Sequence, residues 1–396
     1  MAKKIILDDL PEEISIEKLV EIDLSSKGKL KDQYDIAVIG GTGFKEKVKE
    51  YEWIFTDYGP VKLGHLNLGG KDVLFYSRHD RLQVPDELNR KAYMEALKMK
   101  GVKSVIGITA TARLSKDVSP GHFVVPHKFN PYDLKERDSY TQEGLMFFGY
   151  PTYISHKKSI TNNKKRDEYF GDSPALADML INAWDDDLQA KIQHHYETNP
   201  TEPSLEIKFH KEGVYTNING PGFFDDTLED QIRNSLNSIG HSEHLVIGQT
   251  KRELYLAREL GMDYVSLAMV TDNSSLISEM EGKTPEKAGS HEEVSAVVPV
   301  MSDAAFYIIE NALKNWDNTY TPKTTIPAHF PKEVDFLYLL SRKERVPDAD
   351  MIYQPKNPTP ILAEIFANHF NLDITHGLNK FYAQPENSNR IKWIRK

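Results

Sequence analysis

The chain has no cysteine in its 396 residues. Disulfides, thiolate metal sites and cysteine nucleophiles are excluded together, and the absence fits a reducing compartment, so a cytoplasmic location is expected. Net positive charge is missing as well: 49 Lys and Arg stand against 59 Asp and Glu, a formal charge of −10. Duplex nucleic acid requires a basic surface to neutralise phosphate, so no nucleic-acid partner is expected, although one pocket can still hold a small anion. No apolar run approaches the about 18 residues of a membrane span, and Met1–Glu13 turns acidic too early for a secretory signal. No membrane partner is expected. Several catalytic signatures are lacking too. There is no G-x-S-x-G nucleophile elbow and, despite 14 histidines, no H-E-x-x-H metal motif, so no metal is expected.

What is present is enough apolar material for a sizeable core, 39% hydrophobic and 10% aromatic. Residues 1–33 read as a charged leader with a small helix near Ser15–Glu21. Tyr34–Gly40 then reads as a buried strand, apolar, β-branched and stopped by glycine. A hairpin follows over Leu63–Leu68, Gly69-Gly70 and Asp72–Ser77. Pro85–Lys100 has helical spacing and stops at Gly101, and Lys103–Thr109 and His122–Val125 read as strands. Residues 138–200 are polar and read as an insertion outside the central sheet, with one helix at Pro174–His195. Strand–helix alternation resumes with Leu205–Ile218, a helix at Asp226–Leu236, a strand at His244–Ile247, a helix at Lys251–Leu260, a strand at Met262–Val270 and a long helix at Glu292–Trp316, which Pro299 is expected to kink. Residues 317–396 form a proline-punctuated extension with short helices near Glu333–Leu340 and Pro360–His369. The alternation implies an α/β sandwich around a largely parallel sheet.

Two segments suit an anion. Val38-Ile-Gly-Gly-Thr-Gly-Phe44 is a strand entering a glycine-rich turn, where consecutive N–H groups form a nest and Thr42 adds a hydroxyl. It is neither the Walker pattern nor the dinucleotide fingerprint, because no third glycine follows Gly43 at the required spacing. Tyr76-Ser-Arg-His-Asp-Arg81 ends the next long strand, and there Arg78 can grip an oxyanion bidentately while His79 donates a further hydrogen bond. Open α/β sheets collect ligands at such strand ends.

Four segments in this order resemble the trimeric purine nucleoside phosphorylase and methylthioadenosine phosphorylase family: Ile39-Gly-Gly-Thr-Gly43; Ser77-Arg-His79 with Asn89-Arg-Lys-Ala92; Asn219-Gly-Pro-Gly-Phe223 followed by Glu229; and Ser266-Leu-Ala-Met-Val-Thr-Asp272. The resemblance covers residues 34–316. It implies a three-layer α/β/α, nucleoside phosphorylase-like domain with a mixed central sheet, a homo-oligomer (a trimer or a multiple of one), and attack of orthophosphate on C1′ of a purine nucleoside with no metal or organic cofactor. It assigns Gly41, Thr42, Arg78, His79, Ala110 and Thr250 to phosphate, and Phe223, Gly248, Met269 and Asp272 to the nucleoside. Asp272 and His79 are the implied catalytic pair. An aspartate at position 272 goes with adenine nucleosides, 5′-methylthioadenosine or adenosine, because a protonated carboxyl can donate to purine N7 as charge builds there. The chain departs from the family where Gly248 stands for the usual methionine, Gln249 for a small hydroxyl residue, Ser274 for a second acid and Gln83 for a histidine. A 6-oxopurine phosphorylase, a hydrolytic nucleosidase and a nucleoside-binding regulatory protein are the alternatives.

Overall fold

A computed structural model describes residues 30–41, 44, 48, 50–56, 59–78, 88–131, 172–202, 204–218, 226–249, 252–260, 262–282 and 291–316. The leader before Leu30, the first part of the expected insertion and the C-terminal extension lie outside the described residues.

The frame is one mixed sheet. Its first strands are β1 (Ile36–Gly40), β2 (Glu50–Thr56), β3 (Gly59–Leu68) and β4 (Lys71–Ser77). The expected hairpin is β3–β4, antiparallel from Gly64↔Phe75 to Leu68↔Lys71. Its turn requires glycine, because Gly69 and Gly70 both have positive φ, 59° and 76°. β2 extends the hairpin by pairing with β3, although its stretch carries no clear alternation that marks it beforehand. Then come helix α1 (Arg90–Met99), β5 (Ser104–Arg113), β6 (His122–Val124) and β7 (Lys128–Pro131). The Asn89 side chain caps α1 by accepting from Ala92 N at 3.2 Å, and Gly101, at φ 79°, takes the chain out of it.

The single helix expected at Pro174–His195 is two, α2 (Pro174–Asn182) and α3 (Asp186–Thr198). Asp185 ends the continuity by capping the second, accepting from Leu188 N at 2.8 Å. Both helices are core elements: Leu176, Leu180, Ile192 and Tyr196 are buried in the cluster that lines one face of the sheet. Leu205–Ile218 likewise divides into β8 (Lys208–His210) and β9 (Val214–Asn217). The remaining elements are α4 (Asp226–Asn237), β10 (Leu245–Gly248), α5 (Glu253–Glu259), β11 (Asp263–Asn273), α6 (Ser275–Met280) and α7 (His291–Lys314). Helix α7 continues through Pro299. Its Val294–Lys314 stretch is long and apolar enough to cross a bilayer, with mean hydropathy 1.3, but 61% of its most apolar window is buried inside the protein. It is the core helix that packs on β11.

Alternation along the strands sorts the two faces. Ala37 and Ile39 of β1 join α1 and α5 on one side. Ile36 and Val38 join α2, α3 and α7 on the other. The result is the three-layer arrangement expected from the sequence.

Strand order is β2-β3-β4-β1-β5-β10-β9-β7, with β11, β6 and β8 branching from β5. The branch positions the site. β5 is long, and one of its edges is shared. Its first half pairs in parallel with β1, from Ile36↔Ser104 to Ile39↔Gly107. Its end pairs antiparallel with β10, at Val246↔Arg113 and Ile247↔Ala112. Residues 108–111 lie between these two partners, where the sheet forks.

Candidate active site

Three strand ends converge on that fork. β1 delivers Gly40 and Gly41, β4 delivers Arg78, and β10 arrives from the opposite direction and delivers Gly248. The first two are tied together, because Arg78 N donates to the Gly40 carbonyl at 2.8 Å. Within β5, Ala110 is the one exposed residue in an otherwise buried strand. On the other edge of β5, β11 sets Met269 opposite Ala110 and Asp272 opposite Ala112. The fold therefore gathers Gly41, Arg78, Ala110, Gly248, Met269 and Asp272 from five segments of sequence. Thr42, His79, Phe223 and Thr250 lie outside the described residues.

Arg78 has an environment that its sequence context does not suggest. In a run of Arg, His and Asp it looks solvated, yet it is only 1% exposed. Its Nε and Nη2 donate to Oε1 and Oε2 of Glu253 at 2.5 and 2.8 Å, and its Nη1 donates to the Ile108 carbonyl inside the fork. Tyr93 and Tyr264 add their hydroxyls to the same carboxylate, at 2.5 and 3.1 Å. Burial by itself would lower the affinity of Arg78 for its proton, but Glu253 more than reverses this and holds the guanidinium above its ordinary pKa. Burial and then Glu253 push both phenols well above their usual range, so they remain donors. An ion pair this deep is stable only when the remaining lone pairs are also satisfied, which is what the two tyrosines do. Gly107 makes room for one of them, since a Cβ there would collide with the Tyr264 hydroxyl.

Gly248 is explained in the same way. A side chain at this position would run into the hydroxyl of Tyr215, which is fully buried on β9, and would press on Thr111. The space that a larger residue would take is filled from the neighbouring strand.

Asp272 is 6% exposed at the end of β11. Its Oδ1 is 2.6 Å from the hydroxyl of Thr271. A second carboxyl, Glu229 of α4, belongs to the same neighbourhood. It is 1% exposed and accepts from Leu276 N at 2.7 Å through Oε2, while Oε1 is buried without a hydrogen-bond partner. Burial pushes its pKa up to about 7, hydrogen bonds from Leu276, Ser274 and Ser275 oppose the rise, and the charge of Asp272 adds to it. Ser274, where the family carries a second acid, caps α6 by accepting from Ile277 N at 3.3 Å.

Sequence reasoning did not assign Glu253, Glu229, Tyr93, Tyr264 or Tyr215 to the site. Glu253 sits in a charged Lys-Arg-Glu stretch that reads as helix surface. Glu229 stood in the motif segment, but its sequence neighbours give no sign of its burial. Among the described residues, no group of three or more His, Asp and Glu could hold a metal ion.

The profile of the Phosphorylase superfamily matches residues 36–314, which include the whole fork. The chain is 31% identical over 249 residues to an S-methyl-5'-thioadenosine phosphorylase of Thermococcus kodakarensis, covering 60% of this chain and 78% of that protein. It is 28% identical over 298 residues to a probable 6-oxopurine nucleoside phosphorylase of Dictyoglomus turgidum, covering 71% and 97%. Among solved structures, a mutant adenosine/methylthioadenosine phosphorylase from Schistosoma mansoni in complex with tubercidin superposes with a TM-score of 0.51 at 22% identity, covering 71% of this chain and 91% of that one. That likeness is one of fold.

Proposed function

The chain belongs to the phosphorylase superfamily, and from that premise we propose that it cleaves the glycosidic bond of a purine nucleoside by phosphorolysis. The carrying observation is the convergence of Gly41, Arg78, Ala110, Gly248, Met269 and Asp272 on one fork of the sheet. In this reading the nest at Gly41 and Thr42, with Arg78, His79, the Ala110 N–H and Thr250, holds orthophosphate beneath the sugar. Arg78 is pre-set for the task, because Glu253 fixes the plane of its guanidinium before the anion arrives. Phe223, Gly248 and Met269 face the nucleoside.

The reaction moves one group. A phosphate oxygen forms a bond to C1′ as the C1′–N bond breaks, and the bonding pair passes into the purine. Asp272 donates its proton to the base nitrogen and becomes a carboxylate. The transition state has positive charge on the sugar and negative charge on the base, so an anion below and an acid beyond stabilise both ends. Orthophosphate is a co-substrate, and no metal or organic cofactor takes part. We favour 5′-methylthioadenosine or adenosine, with a carboxyl at position 272 supporting a 6-aminopurine. A cytoplasmic homo-oligomer, a trimer or a multiple of one, completes the proposal; light scattering on the purified chain checks the assembly.

The test is a panel of adenosine, methylthioadenosine, inosine and guanosine, each with and without phosphate, with free base as the readout. Release of adenine only with phosphate is expected. Release without phosphate would make the protein a nucleosidase, preference for inosine and guanosine would make it a 6-oxopurine enzyme, and no release from any nucleoside would leave a binding protein. Asp272→Asn should shift preference toward 6-oxopurines by an order of magnitude or more, about the discrimination that one donor–acceptor mismatch imposes. Unchanged preference would remove Asp272 from the base site.

A further inference from the structure

β11 falls out of step with β5 at one place. Val270 pairs with Thr111 and Asp272 pairs with Ala112, so Thr271 is an extra residue with no counterpart. Bulges of this kind re-aim a side chain next to a site. Thr271 is 1% exposed, and its Oγ1 has two neighbours: Oδ1 of Asp272 at 2.6 Å and the Thr111 carbonyl at 3.3 Å. A hydroxyl has one proton to give, and a carbonyl oxygen can only accept. The nearer, better acceptor is the carboxyl oxygen.

We propose that Thr271 is a positioning residue for Asp272, its hydroxyl donating to Oδ1 so that the transferable proton of the acid rides on Oδ2. The inference rests on the phosphorolysis reading and deepens it. In the phosphorolysis reading, Oδ2 is the oxygen that faces the departing base. When the Oδ2–H bond breaks and the proton joins the purine nitrogen, Oδ1 changes from the carbonyl oxygen of a neutral acid to half of a carboxylate. The same hydrogen bond then becomes charge-assisted and strengthens without movement of a heavy atom. An interaction stronger in the transition state than before it raises kcat. The surroundings favour such a donor. Glu229 is the neighbouring acid and opposes a second negative charge. Arg113, next along this end of the sheet, is already engaged, donating through Nε to Asn273 Oδ1 at 2.5 Å and through Nη2 to Glu281.

Thr271→Val keeps the β-branched shape and removes the hydroxyl, whereas Thr271→Ser keeps the hydroxyl and removes a methyl. The valine variant should lose about tenfold in kcat, with KM for phosphate unchanged, as expected for one hydrogen bond to a charged group. The alkaline limb of its kcat profile should move up by about one pH unit, because the carboxylate has lost a donor. Serine should restore both. Wild-type kcat and pH profile in the valine variant would overturn the proposal, and so would a serine variant as slow as valine, which would make the role one of packing. Titration of the Asp272 carboxyl by NMR on aspartate-labelled protein decides without turnover. A higher midpoint in Thr271→Val supports the proposal and an unchanged midpoint overturns it, even if the wild type releases no base and the phosphorolysis reading fails. Should the valine variant not fold, Thr271→Ala enters the same comparison with serine.

Discussion

Two buried polar clusters in this protein solve the same problem in opposite ways. At the fork, Arg78 and Glu253 are both buried, and both are completed by Tyr93, Tyr264 and the Ile108 carbonyl. Where β6 meets β8, His122 and His210 are buried together, among the described residues without a carboxylate in close contact. Nδ1 of His122 accepts from Ser119 N at 3.2 Å and so carries no proton, which makes Nε2 of His210, 2.9 Å away, the N–H donor. The His244 ring lies 4.2 Å from that of His210, and Asp117 Oδ2 lies 3.3 Å from His244 Nε2. Glu206 reaches only to 3.8 Å of His122 and is itself exposed. Burial first, then His244 and His122, lower the pKa of His210 to about 3, and burial lowers that of His122 as well. The contrast shows what a low-dielectric interior tolerates. Opposite charges with every lone pair met stay ionised, whereas bases facing one another must stay neutral.

The comparison breaks most sharply at Glu253. Glu253→Gln leaves a buried guanidinium without its counter-charge and should cost about 3–5 kcal/mol of stability in urea unfolding. An Arg78→Met, Glu253→Leu pair should cost less than that single change, and a wild-type midpoint for Glu253→Gln would show that the ion pair contributes little. A smaller effect is expected at Gly107, where Gly107→Ala pushes the Tyr264 hydroxyl off the carboxylate. Overpacking of this kind costs about 1–3 kcal/mol, and Tyr264→Phe in the same chain should recover part of it. Additive losses would mean that the two residues do not compete for the same space.

A third effect is one of pH, and two buried groups should respond to it with opposite sign. His210 binds its proton at about pH 3 when folded and near 6.5 when unfolded, so the unfolded chain takes up more protons as pH falls and stability declines from 6.5 toward 3. His210→Phe should flatten that decline. Glu229 has the reverse sign: its folded pKa of about 7 lies above the ordinary 4.5, so its contribution is lost as pH rises from 4.5 through 7. Glu229→Gln should therefore be more stable than wild type at pH 8. Parallel stability–pH curves for wild type and both variants would refute the contrast.

Much of the frame was legible in the chain because it is local. The glycine pair 69–70, the strand ending at Gly40 and the apolar run 262–270 announce themselves through backbone freedom and periodicity. Boundaries failed where a single side chain decided them, as Asp185 does between α2 and α3. In the site, position 272 was legible as a strand-end acid, and the structure places it there. The partners that set its chemistry were not, because Glu229 is remote in sequence and its burial is a property of elements packed from distant parts of the chain.

The sequence by itself determined the alternation of strands and helices, the turns that demand glycine, and the anion-suited residues at strand ends, all consequences of neighbours along the chain. Tertiary structure decided which of those residues meet. Arg78 and Glu253 are 175 positions apart, and nothing in either segment announces the other. The fork, where one strand exchanges β1 for β10, brings them into one ion pair and sets Asp272 on the opposite edge. Long-range pairing of this sort is fixed by burial and hydrogen-bond satisfaction over the whole sheet.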